Sequence, residues 1–298
     1  MDQPLVLAID VGSTSAKAQA FDAAGDPAGP PVRGRVACRP DGTADPQAFA
    51  ASVEAVVDEA LRRPAPIAAV ALSCAWHGLA GLGPDGAPVH PSLPASRLLR
   101  YAEHEPDAFA ATARWCSLGE LLESRWFASP PGPSSSMASA SGLFDQETGR
   151  WDDEVLDAVG IAPSTLAPVD DGARSGLAPA FRGRWPALAG VPWFPALGDG
   201  ACTIVGTGCG SGGSGGDPGN ARAALTVGTS AAVRLLAAPD RRAARPLGLF
   251  AYLLDPGRVV LGAARSPSPG SKRRRPGARR SSPWNGSDGS VRVRLGGL

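Results

Sequence analysis

The segment from Leu5 to Lys17 constrains the fold more than any other part of this chain; it reads Leu-Val-Leu-Ala-Ile-Asp-Val-Gly-Ser-Thr-Ser-Ala-Lys. Its first five residues form an apolar run with the length of a buried strand. Asp10 then places a carboxylate at the strand end. A small, hydroxyl-rich turn follows, made of Gly12, Ser13, Thr14 and Ser15. Glycine lets a backbone approach an oxyanion closely, and N–H groups and hydroxyls donate to it. We therefore expect a strand that ends at a site for phosphate and its metal.

A second segment repeats this pattern near the other end of the chain. Residues 224–230 read Ala-Leu-Thr-Val-Gly-Thr-Ser, so that an apolar start again leads into Gly228, Thr229 and Ser230. A single Gly-Thr-Ser has little specificity, because it occurs in many chains. Paired with the first turn, it predicts the second half of a clamp on nucleotide phosphates.

Composition predicts a globular body with a different kind of segment at the end. The chain has 298 residues, 43% of them hydrophobic, which is enough for one large domain or two smaller ones. Net charge is +1, yet residues 265–298 hold nine Lys or Arg and one Asp. Pro, Ser, Gly and Arg dominate that segment, so we expect a disordered basic tail. The arginines at 273–275 and 279–280 are more typical of a solvated run than of a nucleic-acid site.

Cysteine usage and the apolar pattern predict a cytoplasmic protein. The five cysteines are scattered and include no C-x-x-C pair, which fits a reducing compartment. The N-terminus is acidic and enters a strand directly, unlike a signal peptide. No apolar run approaches the ~18 residues of a membrane span. We therefore expect no membrane partner.

Periodicity predicts an α/β arrangement along residues 5–264. The expected strands are 5–11, 17–22, 67–72, the hairpin 79–89, the pair within 225–236 and the hairpin 250–262. The expected helices are 46–62, 106–127, 152–159 and one that begins within 201–207. Residues 135–143 are predicted to be a loop of small residues, and residues 208–219 a flexible Gly/Ser insertion.

Two further motifs are candidates for chemistry, and each also has an ordinary structural explanation. Asp199 lies between two glycines, where it can accept a proton from a substrate hydroxyl or simply form an Asx turn. Trp76 and His77 follow a predicted strand and suit a sugar, which offers a ring face and several hydroxyls. Most lone histidines, however, are structural, and Asp10 taken alone is a common strand-end residue.

Together the motifs resemble those of the FGGY carbohydrate kinases, within the actin/hexokinase/Hsp70-like ATPase superfamily. The chain is most similar to the gluconate kinase and xylulokinase branch. The resemblance runs in order through residues 4–264, and its most specific part is the stretch from Ser134 to Asp152. The other matching segments are residues 8–17, residues 72–78, residues 198–201 and residues 226–230.

This resemblance implies two ribonuclease-H-like α/β domains that close over a cleft, with sugar on the first domain and ATP on the second. It implies that Asp199 is the general base and that Asp10 holds Mg²⁺. By resemblance, Trp76 and His77 line the pocket for a sugar or sugar acid. The remaining predicted phosphate contacts, from the two turns, are Gly12, Ser13, Thr14, Ser15, Lys17, Gly228, Thr229 and Ser230.

The chain also departs from the family pattern. A Thr-Trp-x-Asp-x-Arg segment, expected after Val89, has no counterpart, and the Gly-rich adenosine motif expected downstream of Ala264 is absent. We therefore expect a sugar-binding domain at 1–222, the truncated start of an ATP-binding domain at 223–264 and the tail at 265–298. A chain of this kind is expected to bind ATP weakly and turn over poorly.

The sequence is compatible with two functions. The chain is either a carbohydrate kinase or a non-catalytic sugar-binding or regulatory module that keeps the same fold. Retention of Asp199 favours the enzyme, and the missing segments favour the module. A homodimer is possible, and neither the sugar nor the oligomeric state follows from the sequence.

Overall fold

The structure is a computed structural model that describes residues 3–38, 44–82, 88–92, 95–209, 222–227, 231–238 and 249–265. Its strands are β1 (Leu5–Val11), β2 (Ser15–Phe21), β3 (Val32–Arg35), β4 (Ile67–Cys74), β5 (Leu79–Leu82), β6 (Pro88–Ser92), β7 (Arg114–Ser117), β8 (Phe144–Asp145), β9 (Arg150–Trp151), β10 (Trp193–Gly198), β11 (Ala223–Val227), β12 (Ala231–Ala237), β13 (Phe250–Asp255) and β14 (Arg258–Arg265). Its helices are α1 (Pro46–Leu61), α2 (Ala95–His104), α3 (Pro106–Ala110), α4 (Leu118–Trp126), α5 (Ser135–Ser139), α6 (Asp153–Val159), α7 (Pro179–Arg184) and α8 (Asp199–Gly206).

Contacts group the described residues into two compact units. The first comprises residues 3–200 together with Leu253–Asp255, and the second comprises the other described residues from Ala201 onward. This grouping does not test the predicted domain limits, which stay predictions. The insertion at 210–219 and the tail beyond Arg265 lie outside the described residues.

A five-stranded sheet in the order β10-β4-β1-β2-β3 forms the centre of the first unit. β1 runs parallel to β4, and β4 runs parallel to β10, whereas β2 and β3 extend the sheet antiparallel. Leu7, Ile9 and Val11 alternate along β1 and are buried, which is the period-2 pattern of a strand with a packed face. The predicted strands 5–11 and 67–72 are thus central in this sheet.

Helix α1 covers one side of the sheet for reasons visible in its sequence. Asp45 caps its N-terminus by accepting a hydrogen bond from the Ala48 N–H at 2.8 Å, and Pro46 occupies the first turn. Apolar side chains at helical spacing are buried along this helix, including Phe49, Val53 and Val57. The helix ends at Leu61, so the expectation of 46–62 is confirmed within a residue.

The single helix predicted for residues 106–127 is wrong. Helix α3 ends at Ala110, β7 follows over Arg114–Ser117, and α4 begins anew at Leu118. β7 pairs antiparallel with β5, so sheet pairing overrides the helical spacing of the apolar residues. Trp115, Leu121 and Trp126 are nevertheless buried.

The loop predicted for residues 135–143 contains a short helix instead. Ser134 caps α5 by accepting from the Met137 N–H at 3.1 Å, and all five residues of the helix are buried. Small side chains let this segment pack inside the unit, where its backbone needs helical hydrogen bonds. The short helix expected at 152–159 is confirmed as α6, capped by Asp152.

A four-stranded sheet in the order β11-β12-β14-β13 contains most of the strand residues of the second unit, and β12 runs antiparallel to both β11 and β14. Leu225 lies opposite Val233, and Leu235 lies opposite Leu261. The strand pair predicted within 225–236 and the strands of the hairpin 250–262 are therefore present. No helix among the described residues is both long enough and apolar enough to cross a membrane.

Candidate active site

The Asp10 carboxylate lies at the end of β1 between two donors from neighbouring strands. Lys17 faces it across the β1–β2 pair, and its Nζ is 3.3 Å from Oδ2. Ser73 of β4 lies beside it and donates its hydroxyl to Oδ1 at 3.1 Å. The side chains of Asp10 and Lys17 are 46% and 47% exposed. The carboxylate is thus oriented by the sheet and remains accessible to a ligand.

The turn after Asp10 is closed by its own backbone. Gly12 donates its N–H to the Ser15 carbonyl at 2.9 Å, and a Cβ on Gly12 would lie 3.3 Å from that oxygen. Ser13 and Thr14, at the tip, are exposed. The predicted phosphate-contact residues of this turn therefore stand together beside Asp10 at one edge of the sheet.

Trp76 and His77 follow β4 but have different surroundings. The Trp76 side chain is buried, with 5% exposure, and its indole Nε1–H donates to the Ser136 carbonyl at 2.9 Å. His77, the next residue, is exposed. Of the two residues predicted to contact a sugar, His77 is open to solvent and Trp76 is largely packed inside the unit.

Asp199 is the first residue of α8 and follows directly on β10. Its Oδ1 accepts hydrogen bonds from the Gly200 N–H at 2.8 Å and from the Trp76 N–H at 3.4 Å. The residue itself is exposed. Its carboxylate is therefore oriented by two backbone donors while solvent, or a substrate hydroxyl, can reach it.

The sheet register brings these residues to the same edge. Asp10 of β1, Ser73 of β4 and Leu197 of β10 share one row, and the next row ends with Gly198, just before Asp199. Because β4 alone separates β1 from β10, the backbones at Asp10 and Leu197 are about 10 Å apart across the sheet, and Asp199 follows Leu197 by two residues. The carboxyl ends of parallel strands are where α/β folds bind their ligands.

A narrow crevice opens next to His77, with an empty volume of about 410 Å³ counted to its mouth. Three tryptophans and a few polar residues contribute to its lining: Trp76, Trp115, Trp151, Ser117, Glu120 and Ser141. Asp10 and Asp199 are not among the lining residues. An aromatic wall with scattered hydroxyls suits a ligand that has an apolar ring face and polar edges.

Burial suppresses ionisation in this crevice. Glu120 is buried, which raises its pKa, while hydrogen bonds from Ser117 and Arg114 oppose that rise. Burial raises the pKa of the Cys116 thiol as well, and the neighbouring Glu120 carboxylate adds to the effect. Cys116 therefore stays a protonated thiol at neutral pH and is a poor nucleophile.

The second predicted phosphate turn cannot be compared with the first. Gly228, Thr229 and Ser230 lie outside the described residues, between β11 and β12. In the part of the chain that the structure describes, no three His, Cys, Asp or Glu side chains cluster closely enough to hold a metal ion by themselves.

Sequence reasoning overlooked three residues that organise this edge of the sheet. Ser73 donates to Asp10, Ser136 accepts from the Gly198 N–H at 3.1 Å, and Gly198 lies against Trp76. The serines belong to matched segments, but their spacing alone gives no indication of their partners. Gly198, the glycine before Asp199, was the one sequence signal, because a glycine at a strand end often permits the close approach of another group.

Comparison with known proteins agrees with this architecture. Residues 83–206 match the model of the N-terminal domain of the FGGY family of carbohydrate kinases. No curated protein sequence matches the chain. The matched range begins after Asp10 and His77 and therefore does not include them.

Solved structures extend the similarity over most of the chain. A gluconate kinase from Lactobacillus acidophilus superposes with a TM-score of 0.74 at 18% identity, over 87% of this chain and 59% of that one. A xylulose kinase from the same organism gives 0.71 at 19% identity, over 87% and 59%. Plasmodium falciparum glycerol kinase with ADP gives 0.70 at 14% identity, over 88% and 61%.

These similarities confirm the expected fold class, the α/β fold of the actin/hexokinase/Hsp70 type with its ribonuclease-H-like sheet. The chain spans about three fifths of the length of these kinases. Residues 83–206 are therefore similar to the N-terminal domain of the FGGY family of carbohydrate kinases, and the chain shares the fold of the solved kinases above.

Proposed function

We propose that the protein transfers the terminal phosphate of ATP to a hydroxyl of a sugar or sugar acid. The observation that carries this proposal is the arrangement of Asp10 and Asp199 at the carboxyl ends of parallel strands, with the His77 crevice nearby. The match of residues 83–206 to the N-terminal domain of the FGGY carbohydrate kinases supports the reaction class. The similar structures include kinases named for gluconate, xylulose and glycerol, the last with ADP bound, which supports a nucleotide and a polyhydroxy substrate.

In this proposal Asp199 is the general base. Its exposed carboxylate accepts the proton as the substrate hydroxyl attacks the phosphorus atom. Donation from Gly200 and Trp76 to Oδ1 restricts the rotation of the carboxylate. A fixed carboxylate contributes by orientation as well as by basicity, because a proton acceptor must lie within hydrogen-bond distance of the hydroxyl.

Asp10 is the proposed residue for Mg²⁺. Oxygen ligands suit this ion, which commonly uses one or two carboxylates together with substrate phosphates, and the accessible Asp10 carboxylate fits that pattern. When bound, Mg²⁺ neutralises phosphate charge. Lys17 supplies a further positive charge beside the same carboxylate.

The two glycine and hydroxyl turns are the proposed phosphate contacts. Gly12, Ser13, Thr14 and Ser15 belong to the first turn, and Gly228, Thr229 and Ser230 belong to the second. Backbone N–H groups and hydroxyls of such turns donate to phosphate oxygens. His77 is the proposed contact to the sugar, at the mouth of the crevice.

We propose that this chain, which spans about three fifths of the length of the similar kinases, binds ATP weakly and turns over slowly. The same observation supports the second candidate function, a sugar-binding module without turnover. We propose a cytoplasmic protein that acts on small molecules.

Replacement of Asp199 tests the proposed reaction. We expect Asp199→Asn to lower sugar-dependent ADP release by about 10²- to 10⁴-fold, because the amide cannot accept the proton. Release of ADP is followed with a panel of pentuloses, hexonic acids and polyols, and sugar binding is followed by calorimetry.

Asp157→Asn, an exposed acid of α6, is the matched control and should leave ADP release unchanged. Equal turnover in wild type and Asp199→Asn would refute the assignment of the base. Sugar binding by wild type without any ADP release would support the non-catalytic module instead.

A further inference from the structure

Trp76 joins the sheet edge to helix α5 through hydrogen bonds at both its backbone and its ring. The backbone N–H donates to the Asp199 carboxylate at 3.4 Å, and the indole Nε1–H donates to the Ser136 carbonyl at 2.9 Å. With 5% exposure, the side chain is packed on nearly all of its surface. A buried indole N–H that lost its acceptor would be unfavourable, so the ring is held in one place.

The same ring lies against the backbone immediately before Asp199. A Cβ placed on Gly198 would come 1.9 Å from the indole Nε1 and 2.1 Å from Cδ1 and Cε2. Only glycine therefore permits this contact at the end of β10. The Gly198 N–H is held in turn by the Ser136 hydroxyl at 3.1 Å.

We propose that Trp76 is a positioning residue for Asp199, acting together with Gly198 and Ser136, and that contact with the sugar is not its main role. The assignment of a catalytic function to Asp199 rests on the proposed function above. The Trp76 backbone N–H donates to the Asp199 carboxylate, and the indole ring packs against Gly198. The orientation of Asp199 therefore depends on the position of Trp76. Misplacement of a reacting group by about 1 Å can lower a rate by 10²-fold.

The positioning role predicts a separation of kcat from sugar affinity. We expect Trp76→Phe, which keeps a ring and loses the N–H donor, to lower kcat about 10- to 100-fold while the sugar Kd changes less than about threefold. A sugar contact would give the opposite pattern, with a raised Kd or KM. A Trp76→Phe variant that raises the sugar Kd more than tenfold and keeps kcat would overturn the proposal.

A second readout does not depend on turnover. The Gly200 N–H is in the first turn of α8, where backbone donors lack an acceptor within the helix, and it donates to Asp199 Oδ1. Its hydrogen exchange, measured by NMR on the whole chain, therefore reports the placement of that carboxylate. Asp199→Ala calibrates the fully released state.

We expect Trp76→Phe and Gly198→Ala to accelerate Gly200 exchange at least tenfold, and the milder Ser136→Ala to accelerate it about threefold to tenfold. Amides of β1 serve as internal references for global unfolding. Gly206→Ala is the matched control for Gly198→Ala, because a Cβ there meets nothing within 4 Å.

The two proposals fail in different ways. If wild type releases no ADP, the proposed function fails, and the exchange data still decide whether Trp76 positions Asp199. If Gly200 exchange is the same in wild type, Trp76→Phe and Ser136→Ala, the positioning role is refuted even when the chain is active. Should Trp76→Phe not fold, Ser136→Ala, which removes one hydroxyl, decides the question.

Discussion

At the scale of one residue, burial of Glu123 near the site disfavours the ionised form of its carboxyl group. Its side chain is 3% exposed, and burial raises its pKa to about 7 although Arg174 lies 3.6 Å away. Glu120, on the same helix, raises the pKa further by like charge, while the Ala196 N–H donates to Glu123 and lowers it. Since Ala196 belongs to β10, this carboxyl group supports the strand that leads into Asp199.

The raised pKa makes stability depend on pH. The folded chain holds this proton more tightly than an ordinary glutamate, whose pKa is 4.5. The stabilisation of the folded state by protonated Glu123 is therefore complete below pH 4.5 and is lost as pH rises through about 7. We expect the unfolding free energy of wild type, relative to Glu123→Gln, to fall by about 1–3 kcal/mol from pH 5 to pH 8. Urea unfolding across that range measures it.

The exposed Glu154, on α6, provides the control for this experiment. Glu154→Gln should follow wild type at every pH. If the unfolding free energy of wild type, relative to that of Glu123→Gln, rises with pH, then the ion pair with Arg174, and not burial, dominates the energetics of this carboxyl group.

Helix α4 shows how an element begins where periodicity alone predicts continuity. Ser117 accepts from the Glu120 N–H at 3.2 Å, and the Glu120 carboxylate accepts from the Ser117 N–H at 2.8 Å. This capping box satisfies two donors that the helix itself leaves without acceptors. The Ser-x-x-Glu spacing is present in the sequence, and it is the signal that the prediction of one helix over 106–127 overlooked.

Removing the cap should destabilise the protein measurably. We expect Ser117→Ala to lower the free energy of unfolding by about 1–2 kcal/mol, because the Glu120 N–H is then buried without its acceptor. Ser124→Ala, on the same helix, removes a hydroxyl that bonds only to the Leu121 carbonyl within the helix, and should cost less than about 0.5 kcal/mol. Equal losses in the two variants would argue against the capping role.

At the scale of the whole molecule, charge and length are unevenly distributed. Residues 265–298 carry nine basic residues and one acidic residue, whereas residues 1–264 carry 20 basic and 27 acidic residues. The last described strand, β14, ends at Arg265, which pairs with Ala231 of β12. The Pro, Ser, Gly and Arg composition of residues 266–298 predicts that they are dispensable for folding.

Deletion of residues 266–298 tests this view. We expect the midpoint of thermal unfolding to change by less than about 2 °C, which is within roughly 1 kcal/mol for a chain of this size. We also expect the deletion to leave the affinity for a polynucleotide, measured at physiological salt, unchanged. A drop in the midpoint of more than about 5 °C would show that the tail packs against the body.

Much of the fold followed from local pattern. The strand from Leu5 to Val11, helix α1 and the short helix α6 were predicted because apolar runs and helical spacing act within a few neighbours. β7 was missed because a four-residue strand next to a helix is decided by its partner β5. Helix α5 was missed because small polar residues resemble a loop until burial requires their backbone to bond internally.

The kinds of groups at the site could be recognised from local residue patterns: a carboxylate at a strand end, a glycine and hydroxyl turn, and an aspartate between glycines. Which of these groups lie close together depends on the fold, because a parallel register across β1, β4 and β10 joins residues far apart in the chain. The fold also decided that Trp76 is buried against Gly198 while His77 stays exposed. Trp76 and His77 differ in burial because the elements that surround each side chain come from distant parts of the chain, which local sequence does not specify.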